Sequence, residues 1–196
     1  MNEQDLFWQG KFGVEYTDRN VISPAARQIL YRDVFERFGT PSSVCELGAN
    51  RGHNLEAIKL CAPDAELTAV EINEYAYSQI PEGIEAINTS AFEYRPEEQY
   101  DLVLTCGFLI HIHPRNLSEI SERVRSLSKK HVMLIEYYNE KSINPSYRGN
   151  SNQLFIRNFG DMFEGKIASG KVAYFSGDPM HWWLFDVGQG GISNDT

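Results

Sequence analysis

No stretch of this 196-residue chain approaches the run of roughly 20 apolar residues that a membrane-crossing helix needs. Its opening, Met1 to Gln9, is acidic and polar where a secretory leader is basic and then apolar. Both absences lead us to expect a cytoplasmic protein with no membrane partner. Cysteine is scarce too. Cys45, Cys61 and Cys106 are odd in number and lack the close pairs of a zinc site, so reduced thiols and no metal are expected. Basic residues are outnumbered, 18 Lys and Arg against 27 Asp and Glu, and a net charge of −9 repels phosphate backbones, whose binding rests on Lys and Arg. Nucleic acid is therefore not the expected partner. The one basic concentration, Arg115, Arg123, Arg125, Lys129 and Lys130, reads as a solvated helix face. Repeats and low-complexity segments are absent as well, and 42 % hydrophobic content over this length suits one core.

What is present is an alternation of short β-rich apolar runs with longer amphipathic ones, the pattern of βαβ units around a mostly parallel sheet. The runs Val44 to Gly48, Leu67 to Ile72, Ile84 to Asn88, Leu102 to Cys106 and Val132 to Tyr138 predict five parallel strands. Pro24 to Phe38 predicts a packing helix, with Leu30, Val34 and Phe38 at four-residue spacing. Asn54 to Cys61 predicts the next, and Asn73 to Ile80 another, capped by Asn73 and stopped by Pro81. Pro114 opens a further one that aligns Leu117, Ile120, Val124 and Leu127. Beyond the polar stretch Asn139 to Asn152, the residues Leu154, Phe155, Phe159 and Met162 suggest a helix. Val172 to Ser176 and Trp182 to Val187 suggest a closing pair of strands across the turn Gly177-Asp178-Pro179, and Gly188 to Thr196 a frayed tail.

The strongest chemical signal is Val44-Cys45-Glu46-Leu47-Gly48-Ala49-Asn50-Arg51-Gly52-His53-Asn54, a strand running into a glycine-bearing turn that opens a helix. An adenosine ligand belongs at such a turn, and Glu71, at the end of the next strand, is placed to accept hydrogen bonds from ribose hydroxyls. A pyrophosphate-binding fingerprint needs glycines at the positions of Asn50 and His53, so a dehydrogenase is disfavoured. A ligand without phosphates tolerates the change, and Asn enters left-handed backbone geometry more readily than most residues.

Glu46-Leu47-Gly48-Ala49-Asn50-Arg51-Gly52 resembles motif I of class I methyltransferases, written E/D-x-G-x-G-x-G, with Asn50 in place of the middle glycine. Tyr100-Asp101-Leu102-Val103 with Gly107 resembles their fourth-strand motif, and the likeness covers Ser43 to Tyr138. It implies a doubly wound, Rossmann-like α/β fold: a mostly parallel seven-stranded sheet with an antiparallel last strand and an N-terminal helical lid. One domain over 1–196 is expected, divided into a lid over 1–40, a cofactor core over 43–138 and an acceptor side over 139–196. The implied cofactor is S-adenosyl-L-methionine, leaving as S-adenosyl-L-homocysteine. The segment Phe7-Trp8-Gln9-Gly10-Lys11-Phe12-Gly13-Val14-Glu15-Tyr16-Thr17-Asp18-Arg19-Asn20 further resembles methylases associated with pseudaminic acid biosynthesis, which implies a small, sugar-derived acceptor.

Carried over position by position, the resemblance sets Glu46, Gly48, Ala49, Asn50, Gly52 and Asn54 against the methionine half of the cofactor. Glu71, Ile72 and Asn73 hold ribose and one adenine face, and Thr89, Ser90 and Ala91 read the adenine edge. Cys106, Gly107 and Phe108 face the sulfonium. His111 is the candidate general base for a hydroxyl acceptor, or else fixes its loop. His113 lies beside it, and two histidines without a third ligand do not make a metal site. Trp8, Tyr16, Arg19 and Asn20 either close over cofactor and acceptor as a lid or anchor a helix on the core. Tyr137, Tyr138, Tyr147 and Arg148 either line an acceptor pocket, where Arg148 grips a carboxylate, or belong to the loop surface. His181, Trp182 and Trp183 either finish the core on the last strand or bind sugar, the former being expected. A protein or another metabolite as acceptor, and a non-catalytic cofactor-binding subunit, stand as alternatives, in a monomer or homodimer.

Overall fold

A computed structural model describes residues 3–20, 23–172 and 180–188. Two short helices, α1 (Glu3–Gln9) and α2 (Lys11–Arg19), precede the long α3 (Pro24–Phe38). The sheet is then laid down as β1 (Ser43–Leu47), α4 (His53–Cys61), β2 (Glu66–Glu71), α5 (Glu74–Tyr77), β3 (Glu85–Asn88), β4 (Tyr100–Cys106), α6 (Leu117–Leu127), β5 (Ser128–Tyr137), β6 (Lys166–Lys171) and β7 (Met180–Asp186). Strand order is β3-β2-β1-β4-β5-β7-β6. The first five strands run parallel, and β7 is antiparallel to both of its neighbours. This is the doubly wound, Rossmann-like methyltransferase architecture that the motif implied.

The period of two along each strand divides the core into two layers. Val44, Leu67, Ala69, Leu102 and Leu104 meet Tyr31, Val34 and Phe35 of α3 and Leu55 and Ile58 of α4. Cys45, Val70, Val103, Val132 and Leu134 meet Ile120, Val124 and Leu127 of α6. The buried face of α3 is therefore Arg27, Tyr31, Val34 and Phe35, one position away from the stripe its spacing suggested, with Leu30 and Phe38 at its margin. No helix among the described residues is long and apolar enough to cross a membrane.

Other expectations change. The helix expected over Leu154 to Met162 is not formed. Phe155 N–H donates to the Ile110 carbonyl and Ile156 pairs antiparallel with Ile143, so backbone partners across the loop replace local ones, leaving one turn at Phe159–Asp161. The helix from Asn73 shrinks to α5, although Asn73 does cap it by accepting from the Ala76 N–H at 3.0 Å. Lys166–Lys171 pairs with β7, and Val172 N–H donates to the Met180 carbonyl at 3.0 Å; the rest of the strand expected over Val172 to Ser176 and the turn at Gly177-Asp178-Pro179 lie outside the described residues, as does most of the expected tail.

At the amino-terminal edge of the sheet, Asp101 joins the start of β1 to β5. Its Oδ2 accepts from Ser42 N–H at 2.9 Å and from the Ser42 hydroxyl at 2.5 Å, while Oδ1 lies 3.0 Å from Lys130 Nζ. Burial alone would raise its pKa, but the Ser42 hydrogen bonds and the Lys130 ammonium outweigh it and hold the carboxyl well below the usual range. Asp101→Asn is expected to lower unfolding free energy by about 1–2 kcal/mol through the loss of charge-assisted bonds, read as an earlier urea midpoint at unchanged slope.

Candidate functional site

A cavity opens where the carboxyl ends of β1, β2 and β4 meet the N-terminal helices. Its floor is the turn after β1, in which Gly48, Asn50 and Gly52 all have positive φ, at 70°, 50° and 77°. Gly48 and Ala49 donate to the Val70 carbonyl at 2.9 and 3.1 Å, locking the turn to β2. Asn50 takes the left-handed geometry in place of a glycine, and its N–H donates to Glu71 Oε2 at 2.7 Å. A Cβ on Gly48 would stand 2.5 Å from the Phe108 ring, so the floor is closed by backbone without side chain.

Three acidic or basic groups define the electrostatics. Alternation along β1 turns Glu46 toward α3 and α4, where Oε1 accepts from Asn54 Nδ2 at 2.6 Å. Its Oε2 is buried with no hydrogen-bond partner, and burial pushes its pKa up to about 8 against the pull of Asn54 and Arg27. Arg27 of α3 donates to Asn54 Oδ1 at 2.5 Å, and the Tyr31 hydroxyl donates to the same oxygen at 2.9 Å. Glu71, at the end of β2, accepts from Asn50 N–H and from Asn73 N–H at 2.8 Å, with burial raising its pKa against those bonds.

The opposite wall is aromatic. Trp8, Tyr16 and Tyr147 gather around His111, with ring centroids 4.4, 6.4 and 5.1 Å from the imidazole. His111 Nδ1 lies 2.6 Å from the Gln153 carbonyl oxygen, so it carries the proton and leaves Nε2 as the acceptor. Burial lowers the pKa of His111 to about 4, the Gln153 hydrogen bond opposing it.

Of the residues expected at the site, Trp8, Tyr16, Asn20, Glu46, Gly48, Ala49, Asn50, Asn54, Glu71, Ile72 and Asn73 line this cavity. So do Thr89, Ser90, Ala91, Cys106, Gly107, Phe108, His111, Tyr137 and Tyr147. Five others are not among the lining residues. Gly52 sits beneath it as the N-cap of α4, facing Ile80 and Pro81. Arg19 lays its guanidinium over the Phe12 and Tyr16 rings at 4.9 and 5.3 Å. His113 accepts from Arg115 N–H, Tyr138 stacks on His181 at 4.3 Å, and Arg148 is exposed with φ 50° in a loop turn. Conversely, Arg27, Gln4, Asp5, Gly13 and Thr17 line the cavity without having been expected there. Arg27 was hidden inside an apparently ordinary packing helix. Its one signal was a basic residue three positions ahead of Leu30.

The family profile of the methyltransferase domain matches residues 19–189, and the chain belongs to that family. Among solved structures it resembles the 1,6-didemethyltoxoflavin-N1-methyltransferase of Burkholderia thailandensis at 16 % identity, over 83 % of this chain and 78 % of that one, with a TM-score of 0.66. The magnesium protoporphyrin IX methyltransferase of Synechocystis PCC 6803 aligns at 11 % identity over 95 % of this chain and 98 % of that one, TM-score 0.68. N-methyltransferase NodS of Bradyrhizobium japonicum WM9 aligns at 13 % over 83 % and 93 %, TM-score 0.63. Against three further methyltransferase structures the chain spans 50 to 56 % of the partner's length. At these identities the likeness establishes the fold. No curated protein sequence matches the chain.

The N-terminal helices are fastened over the cavity by Asn73, whose Nδ2 donates to the Trp8 carbonyl at 2.8 Å and the Gln9 carbonyl at 3.3 Å. Gly13 permits this contact, since a Cβ there would fall on the Trp8 carbonyl oxygen and 2.6 Å from Asn73 Nδ2. Gly13→Ala should gain helix propensity in α2 yet lift α1 away. Amide exchange in α1 is expected to quicken about tenfold or more while β1 and β4 keep their protection.

Proposed function

We propose that the chain transfers a methyl group from S-adenosyl-L-methionine to an oxygen or nitrogen of a small acceptor, releasing S-adenosyl-L-homocysteine. The observation that carries this reading is the unpartnered Oε2 of Glu46, an oxygen acceptor buried in the cavity. It suits the methionine ammonium, and the guanidinium of Arg27 beside it suits the methionine carboxylate. Glu71 uses one lone pair of each oxygen on Asn50 and Asn73, and the remaining pairs suit the ribose diol. Ile72, Ala91 and Phe92 offer apolar faces for adenine. When bound, the cofactor supplies an electrophilic methyl on a sulfonium.

The chain's own residues then position and shield. The turn at Gly48 and the Phe108 ring would hold the sulfonium end of the cofactor, and Trp8 and Tyr16 would keep water from it. Nε2 of His111 would accept the hydrogen of an incoming hydroxyl or amine and take the proton that the acceptor gives up. Because burial holds His111 near pKa 4, it is neutral across the physiological range and does not itself titrate there.

We carry forward a nonulosonic acid of the pseudaminic type, free or nucleotide-activated, as the acceptor, on the strength of the sequence likeness at Phe7 to Asn20. The rings of Trp8, Tyr16 and Tyr147 offer faces for a sugar, while Arg148 is exposed outside the cavity. A planar heteroaromatic acceptor is a second reading, favoured by the clustering of those rings around His111.

The test is mass spectrometry of the protein incubated with S-adenosyl-L-methionine and both acceptor classes. A product one methyl heavier identifies the class; binding of the cofactor with no product from either class would exclude both acceptors. In the same assay His111→Ala is expected to lower turnover about a hundredfold or more with cofactor affinity kept. Equal turnover would reduce His111 to an anchor for the Gln153 loop. Cofactor binding is also expected to release a proton. The ammonium stabilises ionised Glu46, so its pKa falls on binding and affinity climbs as pH rises toward about 8. Calorimetry of S-adenosyl-L-homocysteine binding in buffers of different ionisation enthalpy reads that proton, and Glu46→Gln should remove it.

A further inference from the structure

The opening helix buries the wrong face for a helix that merely packs. In α1, Gln4 and Asp5 are turned inward at 4 % and 9 % exposure, while Leu6 stands out at 60 %. Hydrophobic burial would reverse that choice, because a polar side chain taken from water costs free energy unless it finds a partner. Both polar residues line the cavity. The Oε1 of Gln4 is buried without a hydrogen-bond partner, and its Nε2 reaches only the Asn152 carbonyl, at 3.4 Å. Asp5 faces Ser90, whose Oγ lies 3.5 Å from both carboxyl oxygens. Ser90 belongs to the loop after β3, and Thr89, Ser90, Ala91 and Phe92 of that loop are all neutral.

We infer that α1, and not the sheet, reads the amino edge of the bound nucleoside. Asp5 is the acceptor for the exocyclic amine of adenine, with Gln4 Oε1 as a second acceptor beside it. The inference rests on the cofactor reading above. An amine carries two N–H donors, and this edge of the cavity presents acceptors on α1 against the uncharged lining residues Thr89 to Phe92. A purine with a carbonyl in the amine's place would turn lone pairs toward the Asp5 carboxyl and be rejected. Since Asp5 arrives with the lid, recognition of the base and closure over the cofactor become one event.

The experiment compares calorimetric affinities of S-adenosyl-L-homocysteine and S-inosyl-L-homocysteine, in which a carbonyl replaces the amine, for the wild type and for Asp5→Asn. Wild type should prefer the adenosyl ligand by about tenfold or more, the size of one hydrogen bond to a charged group. Asp5→Asn should weaken the adenosyl ligand while keeping or improving the inosyl one, because its side-chain amide donates to the carbonyl. A wild type that does not discriminate would overturn the inference, as would an unchanged preference in Asp5→Asn or an equal loss of both ligands, which would mark Asp5 as a strut. If neither ligand binds the wild type, the cofactor reading itself fails and this inference with it.

Discussion

A carboxylate removed from water at the end of a parallel strand has to find N–H donors nearby, and the cavity of this protein is shaped by that demand. Glu46, Glu71 and Glu136 end β1, β2 and β5 or stand one residue from their ends, at 1 %, 8 % and 0 % exposure. Each gathers a loop. Glu71 takes the amides of Asn50 and Asn73, so the turn after β1 and the start of α5 hang from one side chain. Glu136 accepts from the Thr105 hydroxyl and from the amides of Phe108, Leu109 and Ile110, fixing the segment that carries Phe108 over Gly48 and leads into His111. Burial still pushes Glu136 up to about 7 against these donors. Glu46 alone keeps an oxygen without a partner. Two of the three acids therefore spend both oxygens on holding the cavity walls, and the third is the one to which the proposed reading gives the methionine ammonium.

That division explains what was legible in the sequence. The turn Gly48 to Gly52 and the acid Glu71 follow from local chemistry: a strand, positive φ at fixed offsets, a helix start. Such features are written in consecutive residues. Arg27 was not, because its role depends on Asn54, 27 positions later, and on Glu46 of β1 on the same side of the sheet. The run around Leu154 to Met162 has helical spacing but is captured by Ile143 and Ile110, partners that no local pattern announces. Tyr138 follows directly on β5 like a pocket residue, yet the antiparallel β7 offers His181 to stack on and draws it away. In each case a non-local partner decided, and propensity supplied only the candidates.

The lid follows a different logic. Helices as short as α1 and α2 have little stability of their own, so their place over the cavity depends on what they touch. Among the described residues those contacts include Asn73 to the Trp8 and Gln9 carbonyls, Gln4 Nε2 to the Asn152 carbonyl at 3.4 Å, the Ser90 hydroxyl to Asp5 at 3.5 Å, Tyr75 hydroxyl to Asp18 at 2.7 Å, Glu3 to Arg115 at 3.6 Å between exposed side chains, the rings of Trp8 and Tyr16 against His111, and Phe12 against Tyr147. Hydrogen bonds of this kind contribute about 1 kcal/mol each, and an exposed ion pair less. Asn73 follows Glu71 by two residues and holds α1 by its side chain while donating to Glu71 through its backbone. A ligand that stiffens Glu71 stiffens the fastening of the lid, and a ligand that meets α1 directly adds its own contacts to the closed state only. Differential contact of that kind is what shifts a two-state equilibrium toward closure. On the inference drawn above, the polar inward face of α1 would make closure depend on what the cavity holds.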